Sequence, residues 1–293
     1  MNRIAVDEKA GRLYLASVNV YDKTFVEREL SFAQGDVQIF DLNKITDGTL
    51  ADLADLKPLN TIPLGSRISA FEFSPKDKQL YVSAITQTKV GTKQVFRGRL
   101  YKLDIEKQKL ADPIELPEAA WSMRLAADGG KLYVCGMPIA PGPMPAYAIE
   151  VVDTATWKRS KTLTVPAAPV DVALARDRIL TIATGKAEPE LLGVNEVGDI
   201  AELTPRGEAM TGARYLRTTS DGKRVLISGG GVGNNTATYL DVVLDAPPRL
   251  TRIAGGNVID SINLGGHFIL SPDDKYAIFN SGIVIDLDKT AVK

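Results

Sequence analysis

Phe71-Glu-Phe-Ser-Pro-Lys-Asp-Lys-Gln-Leu-Tyr-Val-Ser83 reads as an apolar strand, a polar reversal and a second apolar strand. A polar turn is expected between the two strands. The phrase returns along the chain. Before it stands Ile4-Ala-Val-Asp-Glu-Lys-Ala-Gly-Arg-Leu-Tyr-Leu-Ala-Ser17. After it come Met123-Arg-Leu-Ala-Ala-Asp-Gly-Gly-Lys-Leu-Tyr-Val134, Val172-Ala-Leu-Ala-Arg-Asp-Arg-Ile-Leu-Thr-Ile182, Leu216-Arg-Thr-Thr-Ser-Asp-Gly-Lys-Arg-Val-Leu-Ile227 and Phe268-Ile-Leu-Ser-Pro-Asp-Asp-Lys-Tyr-Ala-Ile-Phe279. Measured at the first apolar position of each second strand (Leu13, Leu80, Leu132, Ile179, Val225, Ala277), successive copies lie 67, 52, 47, 46 and 52 residues apart.

A second phrase follows most copies, a strand ending in an acid: Val37-Gln-Ile-Phe-Asp41, Leu100-Tyr-Lys-Leu-Asp104, Ile149-Glu-Val-Val-Asp153, Tyr239-Leu-Asp-Val-Val-Leu-Asp245 and Ile283-Val-Ile-Asp286. In the fourth copy, Leu192-Gly-Val-Asn195 stands instead. A closing strand is read at Leu59–Leu64, Pro113–Pro117 and Ser160–Val165. Each copy is therefore four antiparallel strands, A to D. Helical periodicity is absent, apart from one or two turns expected within Leu50–Leu56.

Four-stranded sheets without helices cannot cover both of their apolar faces alone; stacked about a common axis they cover one another. The expected fold class is all-β, a β-propeller of four-stranded antiparallel blades, as a single domain over residues 1–293. Six repeats are read. The last lacks a strand D, so seven blades are expected if part of the natural chain lies outside these residues.

Ser74-Pro-Lys-Asp-Lys-Gln-Leu-Tyr-Val-Ser83 and Ser271-Pro-Asp-Asp-Lys-Tyr-Ala-Ile-Phe279 resemble the Ser-Pro-Asp-Gly-Lys-x-Leu-Tyr-Val phrase of the bacterial YVTN/WD40-like β-propellers. Ile149-Glu-Val-Val-Asp-Thr-Ala-Thr156 is similar to that family's third strand and following turn. The resemblance spans nearly the whole chain and implies a propeller, usually of seven blades. It is weak on function, because such repeats serve scaffolds, lactonases and quinoprotein-like enzymes alike.

Composition narrows the roles. A net charge of −1, with no basic run, gives no case for nucleic acid or an anionic membrane surface. The lone cysteine, Cys135, excludes an internal disulfide framework and reads as a small buried hydrophobe. No apolar run reaches the ~18 residues of a membrane span. The N-terminus enters a strand pattern directly, so no signal peptide is expected. The chain reads as cytoplasmic, or as extracytoplasmic if it is an excised domain, and no cofactor is implied.

Two regions could carry function. The B–C connections, at about 18–36, 86–98, 136–147 and 229–237, are long for hairpins and are expected to be loops on one face; the competing reading has 18–36 and 86–98 extend their hairpins and pack together. The first two hold Tyr21, Phe25, Phe32, Phe96 and Arg97, the candidate partner-binding residues. The second region is strand A of each copy, expected to line the channel. Arg67, Trp121, Arg124, Arg214, Tyr215 and Arg217 form a candidate anionic-ligand site there. The competing reading pairs these cations internally, Glu72 with Arg124 for example.

His267 is the only histidine, so a multi-histidine metal centre is impossible. No Gly-x-Ser-x-Gly elbow is present. Any acid–base chemistry would rest on His267 with Asp171 or Glu72. Asp41, Asp104, Asp153 and Asp286 repeat in register and are read as acceptors of turn hydrogen bonds. The leading expectation is a non-enzymatic interaction propeller binding a protein or peptide, or other domains of a longer parent chain. The alternative is a lactonase- or hydrolase-like propeller with an anionic-ligand site at its channel.

Overall fold

The computed structural model describes residues 3–18, 35–46, 56–90, 93–117, 119–137, 147–175, 178–184, 189–204, 213–231, 234–243, 249–252, 268–271, 273–279 and 284–287. They are all-β apart from one helix, α1 (Leu42–Thr46). Helix α1 follows the third strand and lies before the Leu50–Leu56 stretch; residues 50–55 are outside the described residues.

The first sheet has eight strands: β1 (Arg3–Asp7), β2 (Arg12–Val18), β3 (Gly35–Asp41), β4 (Asn60–Ser74), β5 (Gln79–Val90), β6 (Lys93–Asp104), β7 (Lys109–Leu110) and β8 (Ile114–Leu116). A four-stranded sheet follows from β9 (Ala119–Leu125), β10 (Lys131–Met137), β11 (Tyr147–Asp153) and β12 (Lys158–Val165). The next contains β13 (Ala168–Ala175), β14 (Arg178–Thr184), β15 (Glu190–Val194) and β16 (Ile200–Glu202). Another contains β17 (Ala213–Thr218), β18 (Arg224–Gly231), β19 (Asn234–Val243) and β20 (Arg249–Arg252). The last has three strands, β21 (Phe268–Leu270), β22 (Tyr276–Phe279) and β23 (Val284–Asp286).

Five hydrogen-bonded sheets are thus described where six repeats were expected. The difference lies in β4. Residues 60–66 pair with β3 and residues 67–74 with β5, so one unbroken strand serves as strand D of the first repeat and strand A of the second. The A and B strands pair at Val6↔Leu13, Phe73↔Leu80, Leu174↔Ile179, Thr218↔Val225 and Leu270↔Ala277.

Two compact units can be distinguished. One comprises Met1–Leu132, Met137–Met144 and Val152–Ser160; the other comprises Tyr133–Gly136, Pro145–Val151 and Lys161–Lys293. The core of the first gathers Tyr14, Val37, Ile39, Leu80, Val82 and Leu103, all buried. The core of the second gathers Leu180, Ile182, Leu191, Leu216, Val225 and Ile227, which are fully or almost fully buried. Each such side chain contributes roughly 1.5–3 kcal/mol by leaving water.

The turns follow from local chemistry. Asp104 accepts from the backbone N–H groups of Glu106 and Lys107 at 3.1 and 2.9 Å. Asp153 accepts from Thr156 N and Oγ1 at 2.7 and 2.8 Å. These hydrogen bonds, led by the backbone donors Lys107 and Thr156, hold both carboxyls below their ordinary value. Both turns close through a left-handed residue, Gln108 and Trp157, with φ of 53° and 54°.

Candidate functional site

Strand A was expected to carry an arginine-rich polar ring, and two pairs of strands present charge in a repeated arrangement. In the first unit, Glu72 of β4 reaches strand β9: Leu125 N donates to its Oε1 at 3.3 Å and Arg124 Nη1 to its Oε2 at 3.4 Å. The same Arg124 nitrogen also donates to Met123 O at 2.7 Å. In the second unit, Asp171 of β13 reaches strand β17: Leu216 N and Arg217 Nη1 donate to its Oδ2 at 2.8 and 3.1 Å. Arg217 likewise donates to the carbonyl of its preceding residue, Leu216.

In both cases a carboxylate on one strand A captures a backbone N–H and an arginine on the strand A of the next sheet. These are charge-assisted hydrogen bonds. Asp171 is buried (3 %), and its Oδ1 also accepts from Val172 N at 2.9 Å. Beyond it, the Arg217 guanidinium stands 5.8 Å from the Phe268 ring centroid of the last sheet. One side chain thus links three successive strands. Asp171 thus accepts three hydrogen bonds, one of them from the guanidinium of Arg217.

The other channel candidates are spread along their strands. Trp121 on β9 is exposed (45 %), as is Arg214 on β17, while Tyr215 is half-buried. Arg67 lies in β4, paired across to Ile85, and its side chain is not among those described. His267 falls outside the described residues, and so do Tyr21, Phe25 and Phe32. Among the described residues no cluster of three or more metal-ligating side chains occurs.

The B–C connections correct one expectation. Residues 86–90 and 93–98 are strand rather than loop and extend the hairpin. β5 and β6 run as one continuous ladder from Gln79↔Asp104 to Val90↔Lys93. The alternation of Val, Ile, Thr and Phe with Gln and Lys through this stretch favours a strand. Thr86 Oγ1 donates across it to Arg97 O at 3.2 Å. Phe96 and Arg97 therefore sit on a strand, Arg97 exposed. The glycine-rich segment behaves similarly, with Gly229↔Thr238 and Gly231↔Asn234 paired around a bulge. Residues 19–34 and 138–146 lie outside the described set.

Several ties between neighbouring repeats escaped the sequence reading. Lys78 Nζ meets the buried Asp7 at 2.6 Å. Lys102 Nζ donates to Thr154 O at 2.8 Å and lies 5.7 Å from the Trp157 ring centroid. Tyr133 OH donates to Glu196 Oε1 at 3.0 Å. Their only sequence signal is a cation or hydroxyl in register with the preceding or following turn.

The sequence matches no protein-family model and no curated protein, but the fold has solved counterparts. Hydrazine synthase of Kuenenia stuttgartiensis superposes with a TM-score of 0.66 at 15 % identity, covering 98 % of this chain and 76 % of that one. A protein titled a putative 6-phosphogluconolactonase from Bacteroides uniformis gives 0.61 at 13 % identity, over 97 % of this chain and 83 % of the other. TolB from Acinetobacter baumannii gives 0.56 at 12 %, over 98 % and 63 %. The fold is a β-propeller. At these identities the likeness extends to the fold alone. No described helix is long and apolar enough to cross a membrane.

Proposed function

We propose that this chain is a non-enzymatic interaction propeller, a single domain of six blades, that binds a protein or peptide partner through the B–C side of its hairpins. One observation carries the reading. The strand A charges that could have formed a ligand or catalytic site, Glu72 with Arg124 and Asp171 with Arg217, tie neighbouring sheets together. Meanwhile the β5–β6 ladder extends five residue pairs past Ile85↔Gly98. Rigid sheets displaying extended connections suit recognition of a macromolecule.

The lactonase-like alternative draws on the likeness to putative 6-phosphogluconolactonases, which is one of fold. It would need His267 as the proton-transfer group.

Two variants separate the readings. With a captured partner in hand, charge reversal within 18–36 or 86–98 is expected to weaken its binding at unchanged thermal stability, while His267→Ala leaves it intact. A sugar-lactone hydrolase activity abolished by His267→Ala would contradict the proposal and establish the alternative.

A further inference from the structure

The second hairpin outruns its sheet on both sides. β4 accompanies β5 only as far as Arg67↔Ile85, and from Ser66 backward it pairs with β3. β8 accompanies β6 only over Gly98–Leu100. Beyond these points Thr86↔Arg97, Gln87↔Phe96, Thr88↔Val95, Lys89↔Gln94 and Val90↔Lys93 continue as a two-stranded ribbon. Among the described residues no third strand joins either edge. An edge that no described strand joins can offer a row of backbone donors and acceptors to an added strand.

Charge selects the occupant. No Asp or Glu occurs between Asp77 and Asp104, a stretch holding Lys78, Lys89, Lys93, Arg97, Arg99 and Lys102. Three of these are engaged at the hairpin base: Lys78 with Asp7 at 2.6 Å, Arg99 with Glu115 at 2.6 Å, and Lys102 with Thr154 O at 2.8 Å. Lys89, Lys93 and Arg97 belong to the ribbon, in a chain whose net charge is −1. Lysines on an edge oppose pairing with a second copy, because like charges then face each other. They favour an acidic strand for the same reason.

We infer that the ribbon of residues 86–90 and 93–97 is the docking edge for an acidic, extended segment of a partner protein, which adds to it as a further strand. This deepens the partner-binding reading and rests on it. The backbone supplies most of the affinity, and Lys89, Lys93 and Arg97 supply the charge preference. Attraction between exposed charges makes the binding weaken as salt is raised.

The test uses three short fluorescent peptides: alternating Glu and Val, alternating Lys and Val, and the Glu–Val peptide N-methylated at alternate amides. Anisotropy is expected to report binding of the first alone. Lys89→Glu, Lys93→Glu and Arg97→Glu together are expected to weaken it about tenfold or more and shift preference to the Lys–Val peptide. Replacing 86–97 with an Asn-Gly turn, which suits a two-residue hairpin, removes binding at an unchanged melting temperature.

Equal binding of the N-methylated peptide would overturn strand addition. Displacement of the Glu–Val peptide by single-stranded DNA at lower concentration would overturn the peptide assignment. Glu–Val binding that survives loss of 86–97 but vanishes on shortening 18–36 would sink the ribbon assignment and leave the partner-binding proposal standing. No binding by the unaltered protein would also overturn this inference, leaving the captured-partner experiment to decide the broader proposal.

Discussion

The sheet of β13–β16 and the sheet of β21–β23 share a hairpin grammar but differ in what covers them. In the former, Ala173, Leu180 and Gly193 share one face, with Ile182 and Leu191 beside them; Val172, Thr181 and Leu192 form a row on the other. Both faces are buried: Leu180, Ile182 and Leu191 on one and Val172, Thr181 and Val194 on the other are each 0 % exposed. The last sheet turns Phe268, Ala277 and Phe279 toward Leu226, at 2 % exposure or less. Its other face carries the row Ile269↔Ile278↔Val284, with exposures of 54, 37 and 57 %, and Tyr276 at 40 %. An apolar residue type therefore marks a blade position, while burial depends on a neighbour that the residue itself cannot specify.

That contrast can be broken by substitution. Leu180→Ala is expected to cost about 2–5 kcal/mol, read from the denaturation midpoint, because a doubly covered sheet cannot collapse onto the cavity. Asp171→Asn keeps an acceptor for Leu216 N but leaves Arg217 without its counter-charge; a loss of about 1–3 kcal/mol is expected. Glu72→Gln should cost less, since the Glu72 side chain is 23 % exposed against 5 % for Asp171, and its contacts are longer. Ile278→Thr on the open face should change stability by no more than about 0.5 kcal/mol. A loss near that of Leu180→Ala would show the last sheet to be covered like the other.

The smallest effect is one of pH. Asp104 and Asp153 titrate below the ordinary carboxylate value of 3.8 because turn donors hold their charged forms. A depressed folded value means the turns gain support above the unfolded value and lose it as pH falls through the folded one. Carboxyl chemical shifts followed by NMR should show both midpoints below that of a free aspartate.

Much of the fold was legible because it is written locally. The strand pair at Leu80 and the turn acids Asp104 and Asp153 each need only a few adjacent residues, and the structure places all three as expected. The Glu72–Arg124 pairing was open to sequence because both residues occupy equivalent strand positions in successive repeats. Continuity of β4 across two repeats was not legible, since nothing in Leu64-Gly-Ser-Arg67 distinguishes a bend from a run-on strand. Loop and hairpin extension were both open for 86–98, because Thr, Gln and Lys suit an exposed strand as well as a connection; the described residues 86–90 and 93–98 are strand.

Hydrogen exchange of the unaltered protein with and without the Glu–Val peptide tests the division of labour most directly. Slowed exchange confined to 86–90 and 93–97, with 121–125 and 214–217 unchanged, is the expected result. Slowed exchange at 121–125 or 214–217, with the ribbon unaffected, would contradict it and return recognition to the strand A charges.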